Sequence, residues 1–300
     1  MTNLKALPRF QELCLCYDFK PTYLCTHEVF SDQAAVKNLK SWQDTGLAEV
    51  GAHLHPWTNP PYLKDETPMP LYHRFPCDLD DDILEEKLKS LTQVIKKSMG
   101  RSPVSYRAGR WGLDGRQLEL LEKLGYRVDS SVTPRISWQN TMGDPDGVGG
   151  PDFRLAPNSL YHPSYADPAK KGKAKILEVP MSVLFVRKLM PKSRRLQRVF
   201  LTMPEGRLKR VANKTLFGQT WLRIFNTTKP KDFVRLLAAA RRKKLPYLQF
   251  MTHSSELAIG TSPYVKSEAG LKHMFDMLEV MLKFFRDEGL KAAMLSEMVK

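Results

Sequence analysis

The sequence contains no apolar run of the ~18 residues that a membrane-crossing helix needs. Its first residues, Met1-Thr-Asn-Leu-Lys-Ala-Leu-Pro, lack the basic start and apolar stretch of a secretory leader. Cysteine is scarce, and Cys14, Cys16, Cys25 and Cys77 form no CxxC pair. That excludes a zinc knuckle, a dithiol redox motif and a disulfide scaffold, and it predicts reduced thiols in a cytoplasmic protein. Internal repeats and low-complexity segments are also missing. What is present is ordinary for a globular protein: 300 residues, 42% apolar and 26% charged. A chain of this length can bury a sizeable core without cross-links.

Charge is unevenly spread. The net charge is +15. Residues 1–150 hold 18 basic and 20 acidic side chains, and residues 151–300 hold 29 and 12. Between Val186 and Lys214 there are ten basic residues and one acid, Glu205. Such a patch either attracts polyanions or is a solvated face of an amphipathic segment. No helix-turn-helix, RNP-like or zinc-finger pattern accompanies it, and no aromatics alternate with the cations, so nucleic acid is not expected as a partner.

Helical and extended patterns alternate along the chain. Asn3 predicts a cap for a helix through Leu4, Leu7, Phe10, Leu13 and Cys14. Strands are predicted at Pro21–Thr26, Leu47–Leu54, Val104–Arg107, Tyr126–Val132, Ile176–Ser182, Pro246–Met251 and Leu290–Leu295. Helices are predicted after Ser31 or Asp32, after Asp80, after Asp114, at Pro230 and from Ser267 to about Asp287. Residues 135–175 read as an irregular excursion with room for a hairpin. Residues 186–225 read as a basic insertion with one or two short helices. This alternation implies an α/β fold on a mostly parallel sheet, open or closed into a barrel. The first element is a helix, whereas a parallel α/β domain usually opens with a strand, so one upstream strand is expected to be missing.

Parallel α/β folds carry their sites at the C-terminal ends of strands. Five chemically capable residues fall there: His53, His55, Arg107, Asp129 and His253. His53 and His55 are two apart, so an extended chain points both to one face. They are either two imidazole ligands of a metal, most often zinc, or two satisfied polar histidines. Arg107, Asp129 and His253 could each be an ordinary ion-pair, turn or core residue.

The order (K)PTYL, GAHLHPW, YRAGRWG, VDSSV, LEVP and FMTHSSEL resembles polysaccharide deacetylases of the NodB-homology type, carbohydrate esterase family 4. It looks closest to a subgroup from surface-polysaccharide gene clusters with HLHPW and HSSEL. The likeness runs from about Leu4 to Glu297. It implies one deacetylase-like domain over residues 1–300, folded as a distorted (β/α) barrel whose first strand is absent here. It implies a divalent metal, usually zinc in that family, on His53 and His55, although the family's usual histidines are spaced by four. Arg107 would orient the base, Asp129 would tune His253, and His253 would protonate the leaving group. Trp57, Arg110 and Trp111 would line the glycan groove. The family's first motif, an Asp pair supplying the base and third ligand, has no counterpart in this sequence. The implied activity is metal-dependent removal of acetyl groups from a surface polysaccharide such as lipopolysaccharide. The alternative is a non-catalytic glycan-binding protein that uses its basic half.

Overall fold

The computed structural model describes residues 2–66, 72–187 and 193–299. Its frame is a five-stranded parallel sheet. The chain enters through a 3-10 turn (Thr2–Ala6) and α1 (Leu7–Cys16). It then forms β1 (Thr22–Cys25), α2 (Gln33–Asp44), β2 (Glu49–Leu54), α3 (Asp81–Met99), β3 (Ser105–Ala108), α4 (Gly115–Lys123) and β4 (Val128–Asp129). The excursion contributes an antiparallel hairpin, β5 (Pro163–Ser164) and β6 (Asp167–Lys171), before β7 (Leu177–Glu178) completes the sheet. The strand order is β1-β2-β3-β4-β7, with every neighbouring pair parallel. β2 and β3 are almost wholly buried, as strands covered on both faces must be.

Local signals explain most of the helices. The Asp32, Asp114 and Ser267 side chains accept the amides of Ala35, Gln117 and Gly270, each satisfying a donor that a helix start leaves free. Asp81 and Asp82 lie in the first turn of α3, and Gly100 ends that helix in the left-handed conformation at φ 76°. α3 buries Leu84, Leu88, Leu91 and Ile95 at helical spacing. One continuous core runs from Leu4 to Phe285 and joins these helices to α7 (Pro230–Arg242) and α8 (Glu268–Asp287).

The basic insertion folds as β8 (Val183–Phe185), α5 (Arg194–Thr202), α6 (Arg207–Ala212), one π turn (Asn213–Phe217) and β9 (Gln219–Trp221). β8 and β9 pair antiparallel. A second small core, Phe185, Phe200, Leu201 and Phe217, holds the helices to that ribbon.

Three expectations differ from the structure. Asn3 does not cap α1. It lies in the 3-10 turn, and its Nδ2 donates to Ser254 Oγ at 2.8 Å. The segments 246–251 and 290–295 contain no ladder strand. One amide of each goes to a side chain instead: Gln249 N donates to Ser182 Oγ at 2.8 Å, and Leu295 N donates to Thr22 Oγ1 at 3.0 Å. Ser296 N donates to Glu49 Oε2 at 2.9 Å. A side-chain acceptor satisfies an amide as well as a neighbouring carbonyl does, but it propagates no strand. The predicted strands at 126–132 and 176–182 shrink to two residues each for want of longer pairing. The hydrogen-bonded sheet among the described residues is therefore five strands wide. Closure into a barrel goes beyond that ladder.

Candidate active site

The strand ends build the first wall. His53 of β2 pairs in register with Arg107 of β3. His53 Nδ1 lies 2.9 Å from the Arg107 carbonyl, which fixes the ring and leaves Nε2 as its open nitrogen. The His53 and His55 rings lie 4.5 Å apart edge to face, so the two-residue spacing does bring them together. His55 stacks on Trp57 at 4.5 Å, and Trp57 meets His73 edge-on at 4.6 Å. Gly109 makes room for this wall, because a Cβ there would lie 2.2 Å from the Leu54 carbonyl and 2.6 Å from His55. Burial, then the neighbouring His55, pushes His53 well below the ordinary imidazole range. Burial, then His253, pushes His55 down to about 3. Both rings are neutral at pH 7 and keep a lone pair.

A buried lysine holds the loop behind Trp57. Lys87 of α3 donates to the carbonyls of Pro56, Asn59 and Pro61 and to Glu66 Oε2, at 2.6 to 2.9 Å. Lys87 and Glu66 are both essentially inaccessible to solvent. The sequence reading passed over Lys87, since at helical spacing it looks like one more charged surface position.

Arg107 is 9% exposed. Its Nε donates to the Ser130 carbonyl at 2.8 Å, its Nη2 lies 3.0 Å from Ser130 Oγ, and its guanidinium lies 5.1 Å from the centre of the Trp111 ring. Burial lowers its pKa to about 10, which still leaves it charged at neutral pH. Gln249, with its amide oxygen toward the arginine, accepts from Arg107 Nη2 at 3.2 Å and donates to the Val179 carbonyl.

Asp129 departs from its expected role. It is fully buried, accepts from the Ser131 amide and hydroxyl at 3.0 and 2.7 Å, and shares a hydrogen bond with Glu178, its register partner on β7. Two adjacent buried carboxyls cannot both ionise cheaply. Burial, then the charge of Asp129, drives Glu178 well above the usual carboxylate range, and burial raises Asp129 too. The carboxylate beside His253 is Glu256 instead, four residues from Thr252 on the loop that follows.

That loop forms the second wall. His253 Nδ1 lies 3.5 Å from Glu256 Oε1 and 3.3 Å from Arg223 Nη2, and Arg223 Nη2 also bonds Glu256. Thr252 Oγ1 and the His253 amide both donate to Glu256 Oε2. Burial raises the Glu256 carboxyl, but hydrogen bonding from the His253 side chain and the charge and hydrogen bond of Arg223 outweigh it and pull Glu256 down to about 2. His253 itself is exposed, and its Nε2 has no partner among the described residues. The sequence flagged His253 but neither Glu256 nor Arg223. Glu256 could have been found from the HSSEL spacing, while Arg223 lies thirty residues away and carried no signal.

Aromatic rings line the floor between the walls. Trp111 lies 6.4 Å from Trp138 and 5.4 Å from Trp221. Arg110 and Trp111 both adopt positive φ, 52° and 69°, a costly backbone for non-glycine residues and one found at ligand sites. The Arg110 guanidinium donates to the carbonyls of His73 and Met142, lies over the Phe75 ring, and is close enough to His55 to help lower it.

His53 and His55 supply two nitrogen donors, half of a tetrahedral zinc set. Among the described residues no group of three or more His, Cys, Asp or Glu side chains is placed to hold a metal ion. The described residues therefore do not make a closed zinc site.

No protein-family model matches the chain, and no curated protein matches it. A solved structure of a candidate polysaccharide deacetylase from Mycobacterium smegmatis superposes with TM-score 0.54 over 99% of this chain and 76% of that one, at 13% identity. The α/β fold with its parallel sheet is therefore similar to that of a deacetylase-type structure. Weaker likenesses reach GH57-type branching enzymes from Pyrococcus horikoshii (TM-score 0.45, 11% identity) and Thermococcus kodakaraensis (TM-score 0.36, 14% identity). Each covers 88% of this chain but only 47% and 49% of the enzyme, and at those scores neither likeness bears on function.

Proposed function

We propose that the protein is a hydrolase that removes acetyl groups from a glycan of the bacterial surface at the rim formed by β2, β3 and the His253 loop. One observation carries this reading: an exposed histidine backed by a buried carboxylate faces paired imidazoles across a tryptophan-lined floor. Sugar rings present apolar faces that stack on indoles, and the half-buried Trp57 and Trp221 offer indole surface, while Trp111 is buried beneath Trp138 and Trp221. In the reaction, water adds to the acetyl carbon and the bond to nitrogen or oxygen breaks. Acetate leaves, and the departing atom takes a proton. His253 Nε2 would give it, with Glu256 stabilising the imidazolium. Arg107 positions Trp111 from beneath. A divalent metal, zinc by the donor type, would polarise the acetyl carbonyl if bound at His53 and His55. Completing it requires donors beyond the described histidine pair.

A second reading is favoured by a separate observation. No carboxylate at the rim is uncommitted, since Asp129 pairs with Glu178 and Glu256 pairs with Arg223. A base for water is thus not evident among the described residues, and the rim suits a protein that holds an acetylated glycan without cleaving it. Acetate release from acetylated oligosaccharides, assayed with and without added zinc, separates the two. Release that disappears in His253→Ala supports the hydrolase. Glycan binding with no acetate under either condition overturns it in favour of the binding protein.

A further inference from the structure

The basic insertion presents an unusual surface. Leu196, Val199, Leu208, Val211 and Leu216 are each between 43% and 77% exposed. Leu196 and Val199 lie three apart on α5, and Leu208 and Val211 lie three apart on α6, so each pair shares a helix face. Interleaved with them are Arg194, Arg195, Arg198, Arg207, Arg210 and Lys214, none of which has a carboxylate partner among the described residues. The one acid between residues 194 and 216, Glu205, is taken by Lys209 at 2.5 Å. The segment is not a loose arm. Phe200 and Phe217 stack at 3.9 Å and pack on Phe185 of β8, anchoring the helices to the ribbon.

We propose that residues 194–216 form a docking surface for an anionic lipid bilayer. Exposed aliphatics beside unpaired arginines match the two layers of a bilayer interface, acyl chains below and phosphates above. The alternatives fit less well. A nucleic acid needs cations and stacking rings but gains little from five exposed aliphatic side chains. A second copy of this surface would bring two strongly positive faces together. β9 runs from this platform directly to Trp221, so docking would set the aromatic floor and the lipid surface on one continuous segment. The inference is independent of the hydrolase reading, because its test involves no glycan and no catalysis.

The test is co-sedimentation of the full chain with vesicles of phosphatidylcholine alone and of phosphatidylcholine mixed with phosphatidylglycerol. Binding to the mixed vesicles alone is expected. Leu208→Ser with Val211→Ser, and separately Arg194→Gln, Arg195→Gln and Arg198→Gln together, should each weaken it about tenfold or more. All five positions are exposed, and an unchanged melting temperature checks the fold. If a variant unfolds, the lipid dependence of the unaltered chain still decides. No binding to mixed vesicles at low salt, or equal binding to both kinds, overturns the proposal. So does a dimer that the Leu208→Ser pair dissociates, which would make the face a contact between copies. Binding to an oligonucleotide that the serine variant leaves intact, with no vesicle binding, would assign the surface to nucleic acid.

Discussion

His53, His55 and Arg107 stand on or just beyond paired strands, whereas Arg223, His253 and Glu256 stand outside the parallel ladder. The first wall is positioned by backbone hydrogen bonds that fix register, and its side chains follow from the pleat. The second is positioned by one buried ion pair and its donors, Arg223 with Glu256. The lesson is that half of the rim is inherited from the sheet, while the other half depends on individual charges. Substitutions should therefore affect the two halves differently.

The largest effect is expected behind the strand wall, where a charge also intervenes. Lys87→Met strands Glu66 in the core and frees four acceptors, costing ~3–5 kcal/mol in urea unfolding. Adding Glu66→Met should restore most of that. A double variant no more stable than the single one would contradict the assigned pairing.

Next comes the loop wall. Glu256→Gln leaves Arg223 buried without its counter-charge and should cost about 2–4 kcal/mol. Near-UV circular dichroism should report loosening around Trp221, with the β2–β3 wall unaffected.

Acid and alkaline stability should separate the two buried carboxyls. Glu256, held at about 2 in the fold, adds stability above its ordinary 4.5, and that stability disappears as pH falls toward 2. Glu178, raised in the fold, adds stability below 4.5 that is lost as pH rises through its folded value. Glu256→Gln should flatten the acid limb and Glu178→Gln the upper one. Urea midpoints across pH would show either limb persisting in the wrong variant if the assignment fails.

The smallest change in stability, with a clear change in binding, belongs to the aromatic floor. Trp57→Ala should weaken glycan binding about tenfold, consistent with the loss of one stacking face, and titration calorimetry would show it. An unchanged affinity would move the glycan off this wall.

Much of the rim was legible in the sequence. His53 and His55 converge because alternation along a strand is a local property. The caps at Asp32, Asp114 and Ser267 were legible for the same reason, each needing only its next three residues. Asp129 was correctly placed at a strand end but assigned the wrong neighbour, since its partner Glu178 is 49 residues away and comes adjacent only through β4–β7 pairing. The segments 246–251 and 290–295 have strand-like composition, but Gln249 and Leu295 give their amides to the side chains of Ser182 and Thr22 rather than to a neighbouring strand.

The sequence by itself determined the alternation of helices and strands, the helix stops and caps, the paired imidazoles and the basic insertion, because each depends on residues within a turn or two of one another. Only the tertiary structure decided that Lys87 ties down the Trp57 loop, that Glu256 rather than Asp129 backs His253, and that Arg223 completes that wall. Lys87 faces inward from a helix, 21 to 31 positions from its acceptors, and Arg223 lies 33 positions from Glu256, and a buried charge reveals its role only when the counter-charge that makes its burial tolerable is in place.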